Sequence, residues 1–462
     1  MEYRIEKDIL GEKKVSADKY WGIHTQRAIE NFSLSGLEAP PGLIRALLMV
    51  KKAACLANRE LEYLPQGKAD AILTACDEAL DGKFSDHWPL DALQGGAGTS
   101  TNMNVNEVLA NRAIEILGGG KGQYKIVHPL EDVNMHQSTN DVYPTAVKVA
   151  AIYGCRDLSE AAATLQAAFQ QKEKEFTGIV KMGRTELQEA VPMTLGAEFG
   201  AFAEAFARDR WRTFKCEERL RVVNLGGTAI GTGLTAPQRY IFLGIEKLRE
   251  ITGLGLSRAE NMVDGTANAD AFVEVSGILK AHASNLVKTA HDLRLMNLLG
   301  EIKLPRHQAG SSVMPGKINP VILEAVIQAG LKVMANDLLV TEAASRSTFQ
   351  IAEFMPLLAH ALLESIGILT RADRIFSAHV AGIRADPEQC RVYVDQAEGI
   401  ITAFVPRLGY DKAAELLKEF QASGLQDLRK FLEERLGKET VAQTLSPQNL
   451  LSLGYKDHGK NT

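Results

Sequence analysis

Arg156-Asp-Leu-Ser-Glu-Ala-Ala-Ala-Thr-Leu-Gln-Ala-Ala-Phe-Gln-Gln-Lys-Glu-Lys-Glu-Phe176 is the stretch of the chain that shows most clearly how it folds. Apolar residues recur in it at steps of four and three residues, or at their sum of seven: Leu158, Ala162, Leu165, Phe169 and Phe176. Residues at this spacing lie along one stripe of an α-helix. The stretch therefore predicts a long amphipathic helix.

Four more stretches have the same character and no proline in their interiors. They are Gly196–Val223 and, approximately, Ala267–Leu299, Pro320–Ser345 and Pro356–Val380. Pro320 and Pro356 suit first-turn positions, where no backbone N–H is needed. A helix of about 25 residues is about 37 Å long, so such helices usually bury part of their length against other subunits. We predict an all-α fold whose core is a bundle of five long helices.

The flanking regions differ from this centre. Before Asp141, clusters of Gly and Pro interrupt the chain, and after Pro387 short amphipathic segments such as Asp411–Gln421 return. Neither internal repeats nor strand-helix alternation occurs in the sequence. We predict three domains: a mainly helical N-terminal domain (1–138), the central long-helix bundle (139–390) and a small helical C-terminal domain (391–462).

Composition excludes several classes of protein. The 462-residue chain has a formal net charge of −5 and no long basic block, which disfavours nucleic acid or an anionic membrane surface as a partner. The chain starts with charged residues, and no stretch approaches the roughly 18 apolar residues of a membrane span. The five cysteines form no C-x-x-C pair, and the ten histidines have no metal-site spacing. We expect a cytoplasmic protein without a bound metal that binds a small molecule or further copies of itself.

One connector between two predicted long helices combines two glycines, two prolines, two serines, a lysine and an asparagine: Gly310-Ser-Ser-Val-Met-Pro-Gly-Lys-Ile-Asn-Pro320. It is not a phosphate-binding loop, because Pro315 stands where the second glycine belongs and Ile318 replaces the Ser or Thr. Flexible glycine flanks, backbone N–H groups, two serines and Lys317 instead predict a lid that closes over a carboxylate and excludes water. An ordinary turn is the alternative.

Dense Ser, Thr and Asn occur in three further blocks, 95–107, 132–141 and 183–192. These side chains are neutral donors that can hold two carboxylates without titrating, although helix capping would also explain any one block. The run Gly226–Ala236 contains G-x-G-x-x-A, but no clear strand precedes it, so a dinucleotide site is not expected.

The Gly310–Pro320 loop closely resembles the signature of the aspartase/fumarase superfamily over eleven consecutive residues, and the three blocks agree with it. The resemblance covers nearly the whole chain. It implies a homotetramer whose active sites draw on three subunits, no cofactor, and reversible elimination from a succinate skeleton to give fumarate.

The resemblance also implies roles for individual residues. Ser311 is the base that removes the C3 proton, activated by N–H groups of the lid and by nearby positive charge. The carboxylate that becomes a dianion is held by Thr99, Ser138, Thr139 and Ser312. The other carboxylate is held by Thr185, Lys317 and Asn319. Asn140, with Thr99, faces the leaving group.

Substrate identity depends on Glu186, at a position where fumarases typically carry His. An anionic side chain there attracts an ammonium group, which favours L-aspartate over malate. Glu324, seven residues after Lys317, could bracket the ammonium with Glu186 or share a proton with it.

Three other functions stay open. They are the hydration of fumarate to malate, as in class II fumarases, carbon–nitrogen elimination from an N-substituted aspartate, and a crystallin-like structural role. Met296–Gly300 and Ile351–Phe354 depart from the family pattern and leave substrate identity open.

Overall fold

A computed structural model describes residues 2–452 and 454–455 of the chain. Most of these residues are helical, which confirms the all-α prediction. The α-helices are α1 (Ile23–Asn31), α2 (Pro41–Glu60), α3 (Gln66–Leu80), α4 (Thr99–Ile116), α5 (Thr139–Glu175), α6 (Leu195–Leu220), α7 (Gln238–Thr252), α8 (Met262–Ala267), α9 (Asp270–Leu298), α10 (Val321–Ser345), α11 (Met355–Ala381), α12 (Pro387–Gln396), α13 (Val405–Leu408), α14 (Tyr410–Ser423), α15 (Leu428–Leu436), α16 (Lys438–Thr444) and α17 (Pro447–Leu450).

Short strands form four two-stranded sheets within the described residues. The antiparallel pairs are β1 (Tyr3–Asp8) with β2 (Gly11–Ser16), β3 (Val180–Thr185) with β4 (Gln188–Thr194), and β7 (Ile302–Lys303) with β8 (Arg384–Ala385). The parallel pair is β5 (Val222–Val223) with β6 (Ser257–Arg258). Short 3₁₀-helices occupy Ser85–His87 and Glu398–Phe404, and a π-helical turn occupies Pro129–Val133.

The five predicted long helices are present as α5, α6, α9, α10 and α11. The largest difference is that α5 begins at Thr139 and continues through Pro144. Proline has no N–H, so the carbonyl of Asn140 lacks its usual helical donor. The side chain of Asn224 donates to that carbonyl at 2.9 Å instead, which allows the helix to contain the proline.

The chain divides into two compact units. Unit 1 consists of Met1–Ser159, Arg212–Ala281 and Lys332–Leu369, and unit 2 of Glu160–Trp211, His282–Leu331 and Thr370–Thr462. The division falls within each of the five long helices, so the units do not follow the three sequence segments. The domain boundaries near 139 and 390 stay a prediction.

In unit 1, α2 packs against α3 and α7, and a buried carboxylate anchors the start of the chain. Glu107 of α4 accepts the backbone N–H groups of Gly22, His24 and Thr25 at 2.8–3.1 Å. Burial raises the pKa of Glu107 to about 7, against the effect of these hydrogen bonds. A Cβ on Gly22 would lie 2.4 Å from the Tyr124 hydroxyl, so only glycine fits there.

Unit 2 has an aromatic core and a buried charged triad. Phe169 and Phe206 stack at 5.3 Å, and Phe199, Phe202 and Phe376 pack around them. The triad is formed by His282 of α9, whose ring nitrogens lie 3.0 Å from Asp209 and 2.9 Å from Asp373. Burial alone would lower the pKa of His282, but Asp373 and Asp209 together raise it to about 10.

Near the C-terminus, a separate cluster that includes Ile400, Phe404, Leu428 and Phe431 fills the space between the short helices of unit 2. All five cysteines are buried free thiols. No helix in the described part of the chain has the length and apolar composition to cross a bilayer.

Candidate active site

The first predicted site residue in unit 1, Thr99, begins α4. The three preceding residues, Gly96, Ala97 and Gly98, all have positive φ and turn the chain sharply into the helix. Gly98 cannot carry a side chain, because its Cβ would lie 2.4 Å from the Tyr143 ring. The partly exposed Thr99 hydroxyl donates to the carbonyl of Gly96 at 2.7 Å. The glycine-rich turn thus positions Thr99 at the edge of unit 1.

Ser138, Thr139 and Asn140 lie together at the start of α5. The Ser138 hydroxyl accepts the backbone N–H of Asn140 at 3.2 Å, and the Asn140 side chain donates to the carbonyl of Ala229 at 2.7 Å. Asp141 accepts the N–H of Ser138 at 3.0 Å, as a capping side chain does. The structure therefore brings three predicted site residues together and fixes the backbone that carries them.

The run Gly226–Ala236 supports this group from behind. The fully buried carboxylate of Asp141 accepts the backbone N–H groups of Gly226 at 3.1 Å and Thr228 at 2.9 Å. Burial raises the pKa of Asp141 to about 6, although these hydrogen bonds act in the opposite direction. The glycine-rich run thus binds a carboxylate of the chain itself, a role that its sequence did not indicate.

Next to Thr139 lies a set of buried or half-buried polar side chains that the sequence patterns did not reveal. We call it the amide cluster: Lys51, Asn102, Asn106, Asn134 and Gln137. Asn102 donates to the Thr139 hydroxyl oxygen at 3.1 Å and to Asn134 Oδ1 at 3.2 Å. Lys51 donates to Asn134 Oδ1 at 2.8 Å and to Gln137 Oε1 at 2.9 Å. The amides lie in two of the polar blocks, but Lys51 sits in an Ala-rich helix and showed no pattern of its own.

A cavity of about 840 Å³ opens beside Thr99 in unit 1. The β1–β2 hairpin, α1, the 95–100 turn and the segment 128–130 line it, and its walls are mainly apolar. Ser138, Thr139 and Asn140 are not among the lining residues. The cavity is therefore connected to the predicted site through Thr99.

In unit 2, Thr185 and Glu186 lie at the tip of the β3–β4 hairpin. Thr185 pairs with Gln188, so Glu186 and Leu187 form a two-residue turn. Both turn residues have positive φ, 51° and 62°, where hairpins usually carry Asn and Gly. This conformation is strained for Glu and Leu, and strain of this kind is concentrated at functional sites. Thr185 and Glu186 are both exposed.

The same hairpin is anchored by buried charge. Lys181, which is 2% exposed, and Arg184 both contact the fully buried Glu301, at 2.8 Å and 2.6 Å. Lys181 also contacts Glu198 at 2.6 Å. Two cations around one buried carboxylate hold the strand that leads to Thr185.

The Ser311 loop, residues 310–320, has no regular secondary structure and is mostly exposed. The Ser311 hydroxyl oxygen accepts the backbone N–H groups of Val313 at 3.1 Å and Met314 at 2.8 Å. These donors would stabilise a negative charge on that oxygen. Contacts with the N–H groups two and three residues later also occur in ordinary serine turns, and the role of Ser311 as a base stays a prediction.

The ends of the loop are tied to each other. The Gly310 N–H donates to the Lys317 carbonyl at 2.7 Å, and the Asn319 side chain donates to the Gly310 carbonyl at 2.9 Å. A Cβ on Gly310 would lie 2.8 Å from the Asn319 nitrogen, so glycine is required. Ser311, Ser312, Lys317 and Asn319 therefore belong to one closed loop, with the Lys317 and Ser312 side chains exposed.

Glu324 lies in the first turn of α10, and its carboxylate is 3.7 Å from Arg294. The predicted residues thus fall into a group in unit 1 (Thr99, Ser138, Thr139, Asn140) and a group in unit 2 (Thr185, Glu186, Ser311, Ser312, Lys317, Asn319, Glu324). That both groups meet in one pocket stays a prediction. Among the described residues, no group of three or more His, Cys, Asp or Glu side chains could hold a metal ion.

Comparison with known proteins agrees with these features. A family model described as "Lyase" matches residues 11–335. The aspartate ammonia-lyase of Pseudomonas aeruginosa is 46% identical over 97% of this chain and 97% of its own length, and that of Corynebacterium glutamicum is 45% identical over 97% and 87%. The chain belongs to the aspartase/fumarase superfamily of lyases, as its motifs predicted.

Solved structures give the same result. A fumarate lyase:delta crystallin from Brucella melitensis bound to cobalt superimposes with a TM-score of 0.93 at 46% identity, covering 96% of this chain and 99% of that one. A recombinant class II fumarase from Schistosoma mansoni superimposes with a TM-score of 0.91 at 30% identity, covering 97% and 99%.

Proposed function

We propose that this protein is a carbon–nitrogen lyase that reversibly eliminates ammonia from L-aspartate to give fumarate. Several relatives at 43–46% identity are named aspartate ammonia-lyase, which supports this substrate. The observation that carries the chemistry is the Ser311 oxygen, which accepts two backbone N–H groups of its own loop.

Proton removal is the difficult step. A serine hydroxyl is a poor base at its ordinary pKa and must be activated. The N–H groups of Val313 and Met314 stabilise the alkoxide of Ser311, which then takes the C3 proton of the substrate. The electron pair moves into the neighbouring carboxylate and creates an aci-carboxylate dianion.

Hydrogen-bond donors that are already in place must stabilise the dianion. Thr139 suits this role, because its oxygen accepts from Asn102 and its hydrogen is left to donate to a ligand. Together with Thr139, the side chains of Thr99, Ser138 and Ser312 bind this carboxylate. Thr185, Lys317 and Asn319 hold the other carboxylate, where the charge changes little.

Collapse of the dianion forms the C2–C3 double bond and breaks the C2–N bond, so that ammonia leaves with the electron pair of that bond. An exposed Glu186 at a strained hairpin tip attracts the substrate ammonium, which favours an amine over a hydroxyl substrate. Asn140 faces the same group. Glu324 lies in the first turn of α10 and contacts Arg294 at 3.7 Å; it would assist Glu186 in bracketing the ammonium. The reaction as written needs neither a cofactor nor a metal.

A side-by-side assay tests the substrate. Purified protein is given L-aspartate, L-malate or an N-substituted aspartate, and fumarate is followed by its ultraviolet absorbance. We expect L-aspartate to give the highest kcat/KM. Faster turnover of L-malate would assign the chain to the fumarases, faster turnover of the larger amine to another carbon–nitrogen lyase, and no turnover at all to a crystallin-like structural role.

We also propose a homotetramer in which three subunits contribute to each site. Large apolar side chains are exposed along the long helices of the single chain, including Phe214 (63%), Leu331 (53%), Leu338 (60%) and Ile375 (49%). Exposed apolar faces of this kind mark interfaces between subunits. Sedimentation with simultaneous assay tests the proposal: monomers should be inactive, and a fully active monomer would contradict the shared site.

A further inference from the structure

Lys51 is buried in a way that few lysines are. It lies on α2, is 0% exposed, and directs its ammonium group to two amide oxygens, Asn134 Oδ1 and Gln137 Oε1. Burying a lysine is costly, so one that persists without a carboxylate at hydrogen-bond distance calls for a role. The next residue, Lys52, shows the ordinary arrangement, since it pairs with Asp77 at the surface.

The contacts of Lys51 determine the orientation of the neighbouring amides. An ammonium group has only hydrogens to offer, so Asn134 and Gln137 must present their oxygens to it. Asn134 Oδ1 then also accepts the side-chain NH₂ groups of Asn102 at 3.2 Å and Asn106 at 3.1 Å. Lys51 therefore requires Asn102 to point its nitrogen, and not its oxygen, toward the centre of the amide cluster.

The orientation continues to the predicted substrate-binding hydroxyl. Asn102 Nδ2 uses one hydrogen for Asn134 and the other for the Thr139 oxygen, at 3.1 Å. Because the Thr139 oxygen is accepting here, its own hydrogen is directed to a different acceptor. The direction in which the Thr139 hydroxyl donates therefore depends on Lys51, through Asn134 and Asn102.

This arrangement of the amide cluster has an energetic cost. The Oδ1 atoms of Asn102 and Asn106 are buried and have no hydrogen-bond partner among the described residues. A buried oxygen without a partner is unfavourable, and an amide that is free to rotate would turn to avoid it. The observed orientation is therefore imposed by Lys51 and does not arise from the best pairing of each amide alone.

We propose that Lys51 is a positioning residue for the proposed elimination, acting through Asn134 and Asn102 to keep the Thr139 hydroxyl pointed as a donor toward the substrate carboxylate. This role rests on the function proposed above. Without Lys51, Asn102 can turn its oxygen to Thr139, which then donates inward and no longer meets the dianion. Because the negative charge grows in the transition state, the loss should fall mainly on kcat.

The charged form of Lys51 is the one that fixes the amides. Burial lowers the pKa of Lys51 to about 7, while Asp141 on α5 and Cys76 on α3 act in the opposite direction. A neutral amine would keep two hydrogens for the two amide oxygens, but it would also have a lone pair that accepts an amide N–H. Only the ammonium form therefore excludes the reversed orientation.

The test replaces Lys51 by the uncharged side chain of similar length. In Lys51→Met we expect kcat/KM for L-aspartate to fall about tenfold to a hundredfold, the cost of one misdirected buried hydrogen bond. Lys52→Met, on the same helix but at the surface, should change it by less than about twofold. In a Thr139→Ala background, Lys51→Met should add less than about twofold, because the group on which it acts is gone.

Equal losses in both backgrounds, or no loss in the wild-type background, would overturn the proposal. If Lys51→Met does not fold by circular dichroism, Asn102→Asp replaces it, since this change of equal size turns the donor facing Thr139 into an acceptor. Its control is Asn106→Asp, because the Asn106 side chain donates to the same Asn134 oxygen, whereas Asn102 is the one that also donates to Thr139. We expect Asn102→Asp to lose about tenfold more activity than Asn106→Asp, and equal losses again defeat the proposal.

The two proposals fail in different ways. A wild-type protein that forms fumarate from none of the three substrates refutes the proposed function, and the positioning role with it. A wild-type protein that deaminates L-aspartate but is indifferent to Lys51→Met refutes the positioning role alone.

Discussion

The two groups of predicted site residues are held in opposite ways. Thr139 in unit 1 is 7% exposed and contacts Asn102, which is 2% exposed and belongs to the amide cluster. Ser311 in unit 2 lies in an exposed loop whose side-chain hydrogen bonds are made with the loop's own backbone. The first group is positioned by side chains from other parts of unit 1, and the second by hydrogen bonds within its own loop.

This difference matches the two tasks of an elimination. Stabilising a dianion requires donors that need no reorganisation when the charge develops. Admitting the substrate and then excluding water requires a segment that opens and closes. Buried amides suit the first task, and a loop whose Ser311 and Asn319 side chains bond to its own backbone suits the second.

The largest effect is expected from the loop. Ser311→Ala should lower kcat about 10²- to 10⁴-fold, because the base that removes the C3 proton is lost. Ser312→Ala should have a smaller effect, since Thr99, Ser138 and Thr139 share its role. Steady-state fumarate formation measures both variants, and a Ser311→Ala enzyme that keeps wild-type kcat would show that the base lies elsewhere.

The second prediction concerns the stability that the buried His282 triad gives to unit 2, in contrast to the exposed Ser311 loop. The pKa of His282, raised to about 10, exceeds its ordinary value of 6.5, so its ion pairs stabilise the fold fully below about pH 6.5. This stabilisation disappears as the pH rises toward 10. In His282→Gln, the free energy of unfolding at pH 6 should drop by about 3–5 kcal/mol, as for other broken buried ion pairs.

Denaturant unfolding at several pH values measures this contribution. The wild-type protein should lose stability between pH 6.5 and 10, and His282→Gln should lose less over the same range. His291→Gln, at an exposed position of the same helix, is the matched control and should change little. An unchanged pH dependence in His282→Gln would mean that the triad does not carry this stability.

The smallest effect concerns the hairpin tip, which is exposed like the loop but is anchored through Arg184 and Glu301. Glu186→Gln should lower kcat/KM for L-aspartate about tenfold, through loss of attraction to the ammonium, and leave the inhibition constant of fumarate nearly unchanged. Glu189→Gln on β4 keeps the hairpin and serves as the control. An undiminished turnover of L-aspartate by Glu186→Gln would remove Glu186 from amine selection.

Prediction from sequence succeeded where a pattern is local. Apolar spacing located the five long helices, because one face of each must be buried regardless of the partner. It detected only the later part of α5, since Pro144 is unfavourable inside a helix and the compensating donor, Asn224, lies far away in the chain. The run Gly226–Ala236 was ambiguous for the same reason, because its partner Asp141 is not a neighbour in sequence.

The amino-acid sequence by itself determined the helical fold, the superfamily and the composition of the Ser311 loop, because these depend on spacing and on residues that are adjacent in the chain. Only the tertiary structure decided which side chains contact and orient the predicted site residues. Lys51 directs Asn134, Asn102 and thereby Thr139 through hydrogen bonds that connect α2, α4 and the segment before α5. The effect of a buried donor depends on the acceptors that folding brings close to it, and the residue spacing within α2 does not show which acceptors those are.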